Sequence, residues 1–441
     1  MFEERSSDTP LGTADLAAFV TAIGQLDRSV DDAERIDQLR LLEELKSAAA
    51  AAQARATADF AGSQERKQRE VGVPAKQVGK GIAAQVGLAK RESPARARRY
   101  VGWSKILTSE LPGTLEALSD GRITEWRAQV VARETAWLSP VHRRAVDEEV
   151  APQLEEWGDR RVEAEVKKRA YRLDPTGYLA RTSNAVNDRT VTLRPAPDTM
   201  SYLTGLLPVA QGVAVLASLQ RQADSLRSQG DARSRGQIMA DTLVERVTGQ
   251  SAAEAVPVEV NLVMSDQALF NVGDAKDEPA VLEGYGPIPA ELARRLLLAA
   301  DAAAQAWVRR LFAPPGSREL AGLDSRRRTF DGPLRQLLVA RDQLCRTPWC
   351  DAPIRHADHV VAVQDDGETE VHNGQGLCEA CNHAKQAVGW RARASGGGSG
   401  EAVETITPTG HRYRSTPPEP PRTRRRVRLD LVFAELLDNV A

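Results

Sequence analysis

The reading turns on one stretch: Cys345-Arg346-Thr347-Pro348-Trp349-Cys350, then Arg355-His356-Ala357-Asp358-His359-Val360-Val361, then Asn373-Gly374-Gln375-Gly376-Leu377-Cys378-Glu379-Ala380-Cys381-Asn382-His383-Ala384-Lys385. All 4 cysteines of the 441-residue chain fall here, and so do His356, His359, His372 and His383 of its 6 histidines. The cysteines form two short-spaced pairs, Cys345-x4-Cys350 and Cys378-x2-Cys381. Two such pairs, brought together by a fold, can set four thiolates tetrahedrally around zinc. In a reducing compartment clustered thiols are more often metal ligands than disulfides. Four buried free thiols are the competing reading, and they leave the pairing unexplained. Zinc would also stabilise a segment too small for a core of its own.

Inside that frame sits an Asp-His pair in a β-rich run, which a strand would point to opposite faces. Asp358 offers a hard oxygen to a divalent cation. His359 offers an imidazole that titrates near neutrality and suits proton abstraction from water. A turn at Gly367 leads on to Asn373. Cys381-Asn382-His383 then opens, or sits early on, a helix, so a zinc ligand and a ligand for a second metal share one rigid element.

These residues, in the order Cys-x4-Cys, Asp-His, Asn-Gly, Cys-x2-Cys-Asn-x2-Lys, resemble the His-Asn-His (HNH) endonucleases, whose fold is called ββα-metal. The whole chain is similar to the actinobacterial group in which a long helical domain of unknown function precedes that module. Leu107–Gly121, Gly284–Arg294 and Asp324–Cys345 add to this resemblance. It implies a metal-dependent endonuclease that hydrolyses phosphodiester bonds in DNA. His359 would be the general base. Asp358 and Asn382 would hold one Mg²⁺ or Mn²⁺ ion, with His383 the substitute for the second ligand. Asn373 would brace the loop that orients His359, while Cys345, Cys350, Cys378 and Cys381 hold structural Zn²⁺. Lys385 and Arg355 are candidate nucleic-acid contacts. The family often continues Asp-His-x-x-Pro-x3-Gly-Gly, whereas Ala362 and Asp366-Gly367 stand here.

Outward from that window the chain reads as mainly α with a small α+β part. Its length calls for more than one folded unit. Aromatics are scarce at 5%, and the formal net charge of −2 excludes a nucleic-acid signature spread over the whole protein, so any such surface is a local patch. Helices are predicted over 16–61, 94–119, 122–137, 139–171, two within 208–249, and 289–300, with Thr124 as an N-cap after the turn Ser119-Asp120-Gly121. Arg189–Leu193 and Val256–Met264 read as strands. The expected division is a helix-rich domain of unknown function with a small sheet over 1–300, a connector over 301–334, a nuclease module over 335–392, and a Gly/Pro-rich, basic tail over 393–441. That tail holds the run Arg422, Arg424, Arg425, Arg426 and Arg428.

No apolar run suits a membrane span or a secretory leader, so the expected compartment is the cytoplasm. The expected partner is DNA, with no membrane and no stated oligomeric order. Two other classes compete. A non-catalytic, zinc-stabilised DNA-binding or interaction module would keep the cysteines but would not need Asp358, His359, Asn373 and Asn382 together. An interaction scaffold would place the main activity in 1–300. His356 and His372 read as surface residues, and Trp349 and Trp390 as packing around the zinc core.

Overall fold

The computed structural model describes residues 11–250, 262–273, 276–283, 285–301, 329–395 and 402–418. It is mainly helical with small sheets, and its contacts gather into two units, Met1–Asp59 with Gly102–Pro175 and Phe60–Val101 with Thr176–Ala441. Among the described residues no helix is long and apolar enough to cross a membrane.

Among the described residues nine α-helices come first: α1 (Thr13–Gly24), α2 (Asp32–Glu70), α3 (Ile82–Lys90), α4 (Pro94–Glu110), α5 (Pro112–Ser119), α6 (Glu125–Thr135), α7 (Pro140–Val150), α8 (Asp159–Leu173) and α9 (Pro175–Ala185). The single helix predicted over 16–61 is in fact two. Asp27 accepts the Ser29 amide at 2.8 Å and Asp31 accepts the Glu34 amide at 2.9 Å, so these side chains satisfy local backbone groups in place of helical bonds. The second of the two then runs nine residues further than its apolar pattern suggests.

The first unit is built on apolar burial. Leu107, Leu111, Leu118, Val130, Val131, Val146, Val150 and Leu154 are fully buried. The short α5 is tied to α7 through Asp147, which accepts the amides of Gly113 at 2.7 Å and Thr114 at 3.0 Å. Those are N–H groups that a helix start leaves without intrahelical partners. Burial pushes the Asp147 carboxyl above its ordinary range, and the Thr114 and Gly113 donors pull against that. Gly121 closes α5 at φ +75°, and a Cβ there would lie 2.8 Å from the Glu44 Cα, so the turn requires glycine. Thr124 caps α6 as its spacing predicts, accepting the Arg127 amide at 3.3 Å.

The second unit opens its later part with the antiparallel hairpin β1 (Thr190–Pro195) and β2 (Ser201–Leu206), followed by α10 (Val209–Ser228) and α11 (Arg235–Thr248). Next come β3 (Leu262–Val263), α12 (Asp266–Leu269), β4 (Ala280–Leu282), β5 (Gly286–Ile288) and α13 (Ala290–Asp301). The three strands form one sheet over a small core of Ala280, Ile288 and Ala293. Of the strand predicted at 256–264, residues 256–261 lie outside the described residues.

The last part holds α14 (Gly332–Asp342), β6 (His356–His359), β7 (Gly374–Leu377), α15 (Glu379–Lys385), β8 (Arg391–Ser395), β9 (Ala402–Ile406) and β10 (Arg412–Ser415). The final three strands form an antiparallel sheet inside the stretch that composition reads as a tail. Glycine and proline concentrate at 396–400 and after 416, while the strands between and around them alternate arginine with Ala392, Ala394 and Tyr413. The arginine run 422–428 and the segment 429–440 lie outside the described residues.

Candidate metal centre and Asp-His site

α14 lies on the β6–β7 hairpin, whose register pairs His359 with Gly374 and Asp358 with Gln375. Glycine alternates along β7 because side chains sit directly on it. A Cβ at Gly374 would come within 2.7 Å of a Leu338 methyl, and one at Gly376 would overlap the Ile354 side chain. Phe330, Leu334, Leu337, Leu338 and Val371 make the small apolar core here.

A buried ionic knot joins this helix to the cysteine loop. Asp342, fully buried, takes Arg341 at 2.7 Å, Arg346 at 2.9 Å and the Gly376 amide at 2.6 Å. Arg341 also donates to the carbonyls of Val371 at 2.8 Å and Gly374 at 2.7 Å. Burial lowers the Arg346 pKa, and the Asp342 carboxylate opposes that shift.

The four cysteines are brought together and buried. Cys378 caps α15, its sulfur accepting the Cys381 amide at 3.4 Å, while the Cys345 amide is held by Ala352 O at 2.9 Å. The Cys350 sulfur lies 3.6 Å from those of Cys378 and Cys381, and all four sulfurs fall within 4.8 Å of one another. Tetrahedral zinc with Zn–S bonds of about 2.3 Å calls for sulfurs about 3.8 Å apart. The donor set fits, and the four thiols could hold a zinc ion. Hydrogen bonds among them pull the Cys345 and Cys378 thiols below their ordinary pKa and push those of Cys350 and Cys381 above it.

His359 ends β6 with its ring buried against Phe330, centroids 4.5 Å apart. Its Nε2 meets Thr369 Oγ1 at 2.9 Å, so one ring nitrogen is fixed by a hydroxyl that no motif marks. Burial holds the imidazole below its ordinary 6.5, with Asp358 opposing and Lys385 adding to the shift. Burial therefore favours the neutral form of the ring.

Asn373 is buried and clamps the loop after His359. Its Oδ1 accepts the Val361 amide at 2.9 Å, and its Nδ2 donates to Val361 O at 3.0 Å and Glu368 O at 2.7 Å. Gly367 donates to Ala362 O at 3.0 Å, and a Cβ there would strike Val361 O. Asp366 takes φ +61°, a left-handed position that short polar side chains tolerate. Asn373 and Gly367 thus fix the loop that follows His359.

Asp358 is half-buried, and Lys385 of α15 reaches it at 2.6 Å while also donating to the His359 carbonyl. Lys385 thus points inward. Asn382 is buried, and its Oδ1 has no hydrogen-bond partner among the described residues. It lies one turn before Lys385, on the same helix face. An amide oxygen and a carboxylate oxygen are donor types that Mg²⁺ or Mn²⁺ favours, so the chemistry of Asn382 and Asp358 is compatible with such an ion. His383 faces outward and exposed, as do Arg355 and His356. His372 is exposed too, beside Glu370 at 3.0 Å. Trp349, expected to pack the zinc core, is 40% exposed and meets Tyr413 edge-on. Trp390 sits over Gly81.

The class defined so far is a mainly helical protein with a buried cluster of four cysteines that could hold a metal ion. Comparison with known families matches residues 39–342 to the Domain of unknown function (DUF222). The chain belongs to that family. The match ends with the last residue of α14, before the first cysteine. No curated protein and no solved structure matches the chain.

Proposed function

We propose that residues 335–392 form an HNH-type, metal-dependent endonuclease module that hydrolyses phosphodiester bonds in DNA. The observation that carries this reading is the buried, partnerless Oδ1 of Asn382. A buried amide oxygen without a partner costs about 1–3 kcal/mol, and a zinc-only module has no use for one. Further support comes from the order strand, strand, helix, which sets Asp358 and His359 on β6 and Asn382 on α15. The DUF222 family is also often found with HNH nucleases.

In this mechanism His359 takes the proton of the attacking water at Nδ1. Burial favours the neutral ring for that task, and Thr369 fixes the orientation through Nε2. Asn373 holds the loop on which the ring depends. Asp358 and Asn382 hold a Mg²⁺ or Mn²⁺ ion, which supplies stabilisation of charge on the scissile phosphate and on the leaving 3′ oxygen. The four cysteines hold structural zinc and take no part in the reaction. His383 lies outside the ligand set, and Arg355 remains a phosphate contact at the surface.

One observation favours the rival, a non-catalytic zinc-stabilised DNA-binding or interaction module: the Lys385 ammonium pairs with Asp358 at 2.6 Å and supplies its counter-charge. Incubation of supercoiled plasmid with purified protein separates the two. The nuclease reading expects nicking that requires Mg²⁺ or Mn²⁺, stops with EDTA, and falls by about 10²–10⁴-fold in His359→Ala. A wild-type protein that binds DNA and leaves it intact under every cation establishes the rival.

A further inference from the structure

The sheet formed by β8, β9 and β10 has two unlike faces. Its register pairs Arg393 with Glu404 and Arg391 with Ile406, and on the other side pairs Arg414 with Glu404 and Arg412 with Ile406. Because strand side chains alternate between faces, these six residues share one face. All four arginines are exposed, and Glu404 is the only carboxylate among them. It pairs with Arg393 at 2.6 Å and Arg412 at 3.6 Å. Glu404 is partly buried but the arginine ends of both pairs are exposed, and such pairs are weak, so both guanidiniums stay available to a stronger anion.

The other face is anchored. Val403 is buried there and Tyr413 meets Trp349 with ring centroids 6.0 Å apart, while the edge strand β10 is held through its Ser415 carbonyl, which accepts Arg346 at 3.2 Å. The back of the sheet thus rests on the loop between Cys345 and Cys350, and the arginine face is displayed on a fixed support. Adjacent strands lie about 4.8 Å apart and residues two apart on a strand about 7 Å apart, so the four guanidinium groups are rooted about 7–12 Å from one another. Those spacings are comparable to a Debye length of about 10 Å at 0.1 M salt, so the charges act together at low ionic strength.

We infer that this arginine face is a docking surface for the sugar-phosphate backbone of double-stranded DNA. The charge is complementary: four arginines against one glutamate, in a chain whose formal net charge is −2. Guanidinium forks match phosphate oxygens in geometry as well as in sign. The aromatic ring of the sheet, Tyr413, is on the anchored face, so the arginine face has no platform for stacking unpaired bases. It also has no side-chain amide to read base edges. Contact through phosphates alone positions a duplex without regard to sequence. The inference deepens the nuclease reading, on which it rests for the choice of DNA as the anion.

The test is the salt dependence of binding by the full-length protein to a fluorescein-labelled DNA duplex, followed by anisotropy with no Mg²⁺ or Mn²⁺ added, so that the duplex stays intact and the cysteine site keeps its zinc. Replacing Arg391, Arg393, Arg412 and Arg414 by alanine should lower the slope of log affinity against log salt by about 2–4, at roughly 0.9 per lost phosphate contact. The loss should be the same for duplexes of unrelated sequence. Glu404→Gln removes the one opposing charge and should tighten binding, a gain that misfolding cannot imitate. The arginine run 422–428 is left intact, so the change reports on the sheet. An unaltered slope in the fourfold variant, together with unaltered affinity in Glu404→Gln, overturns the surface. Cleavage lost in His359→Ala alongside those unaltered values keeps the nuclease and removes the surface. A reduced slope with no cleavage by the wild type does the reverse.

Discussion

The first unit and the region from α14 to α15 keep their order by different means. In the first, eight large side chains from Leu107 to Leu154 are fully buried, and the helices hold one another through apolar contact. The second has a five-residue apolar cluster, a buried ionic knot and four thiols. A cluster that small buries too little apolar surface to offset the entropy of ordering the loops around it. The lesson is that the candidate site sits where hydrophobic burial is weaker than in the first unit, and where a metal ion could supply what packing does not.

The comparison breaks hardest at the cysteines. With zinc in place, binding to such a site is worth on the order of 10 kcal/mol. Cys378→Ser or strong chelation should therefore release residues 329–395 to limited proteolysis, while fragments from 102–173 resist. Equal resistance of both regions would show that the apolar cluster suffices alone. The next largest effect is at Asp342. Alanine there strands the buried guanidiniums of Arg341 and Arg346 and should cost about 3–5 kcal/mol in denaturant unfolding. Smaller again is Asp147→Ala, which leaves helix-start N–H groups unpaired beside a core that remains, at about 1–3 kcal/mol. Should Asp147 prove the costlier of the two aspartates, the first unit depends on polar contacts more than its apolar core suggests.

What the sequence reveals follows the same division. Cys345, Cys350, Cys378 and Cys381 were legible because a tetrahedral ion needs short-spaced ligand pairs, and the structure brings their sulfurs together as that spacing implies. Thr124 was legible because a cap acts over three residues. Asp342 was not, since Arg341-Asp342 reads as a solvated surface pair until the fold lays Gly376 against it. Thr369 carries no motif and touches His359 only through a loop of ten residues. The β8–β10 sheet stayed hidden because arginine alternating with alanine gives a faint two-residue period. Aspartates 27 and 31 broke a helix that its leucines alone would have continued.

The cysteine cluster has one more consequence, a topological one. Its ligands lie on both sides of Asp358, His359 and Asn373, so a bound ion closes residues 345–381 into a ring that contains all three. Fraying from either chain end stops at the knot before it reaches them. A chain whose helical part has come apart would still carry those three residues on a tethered loop, its ends pinned at one point and its closure entropy already removed.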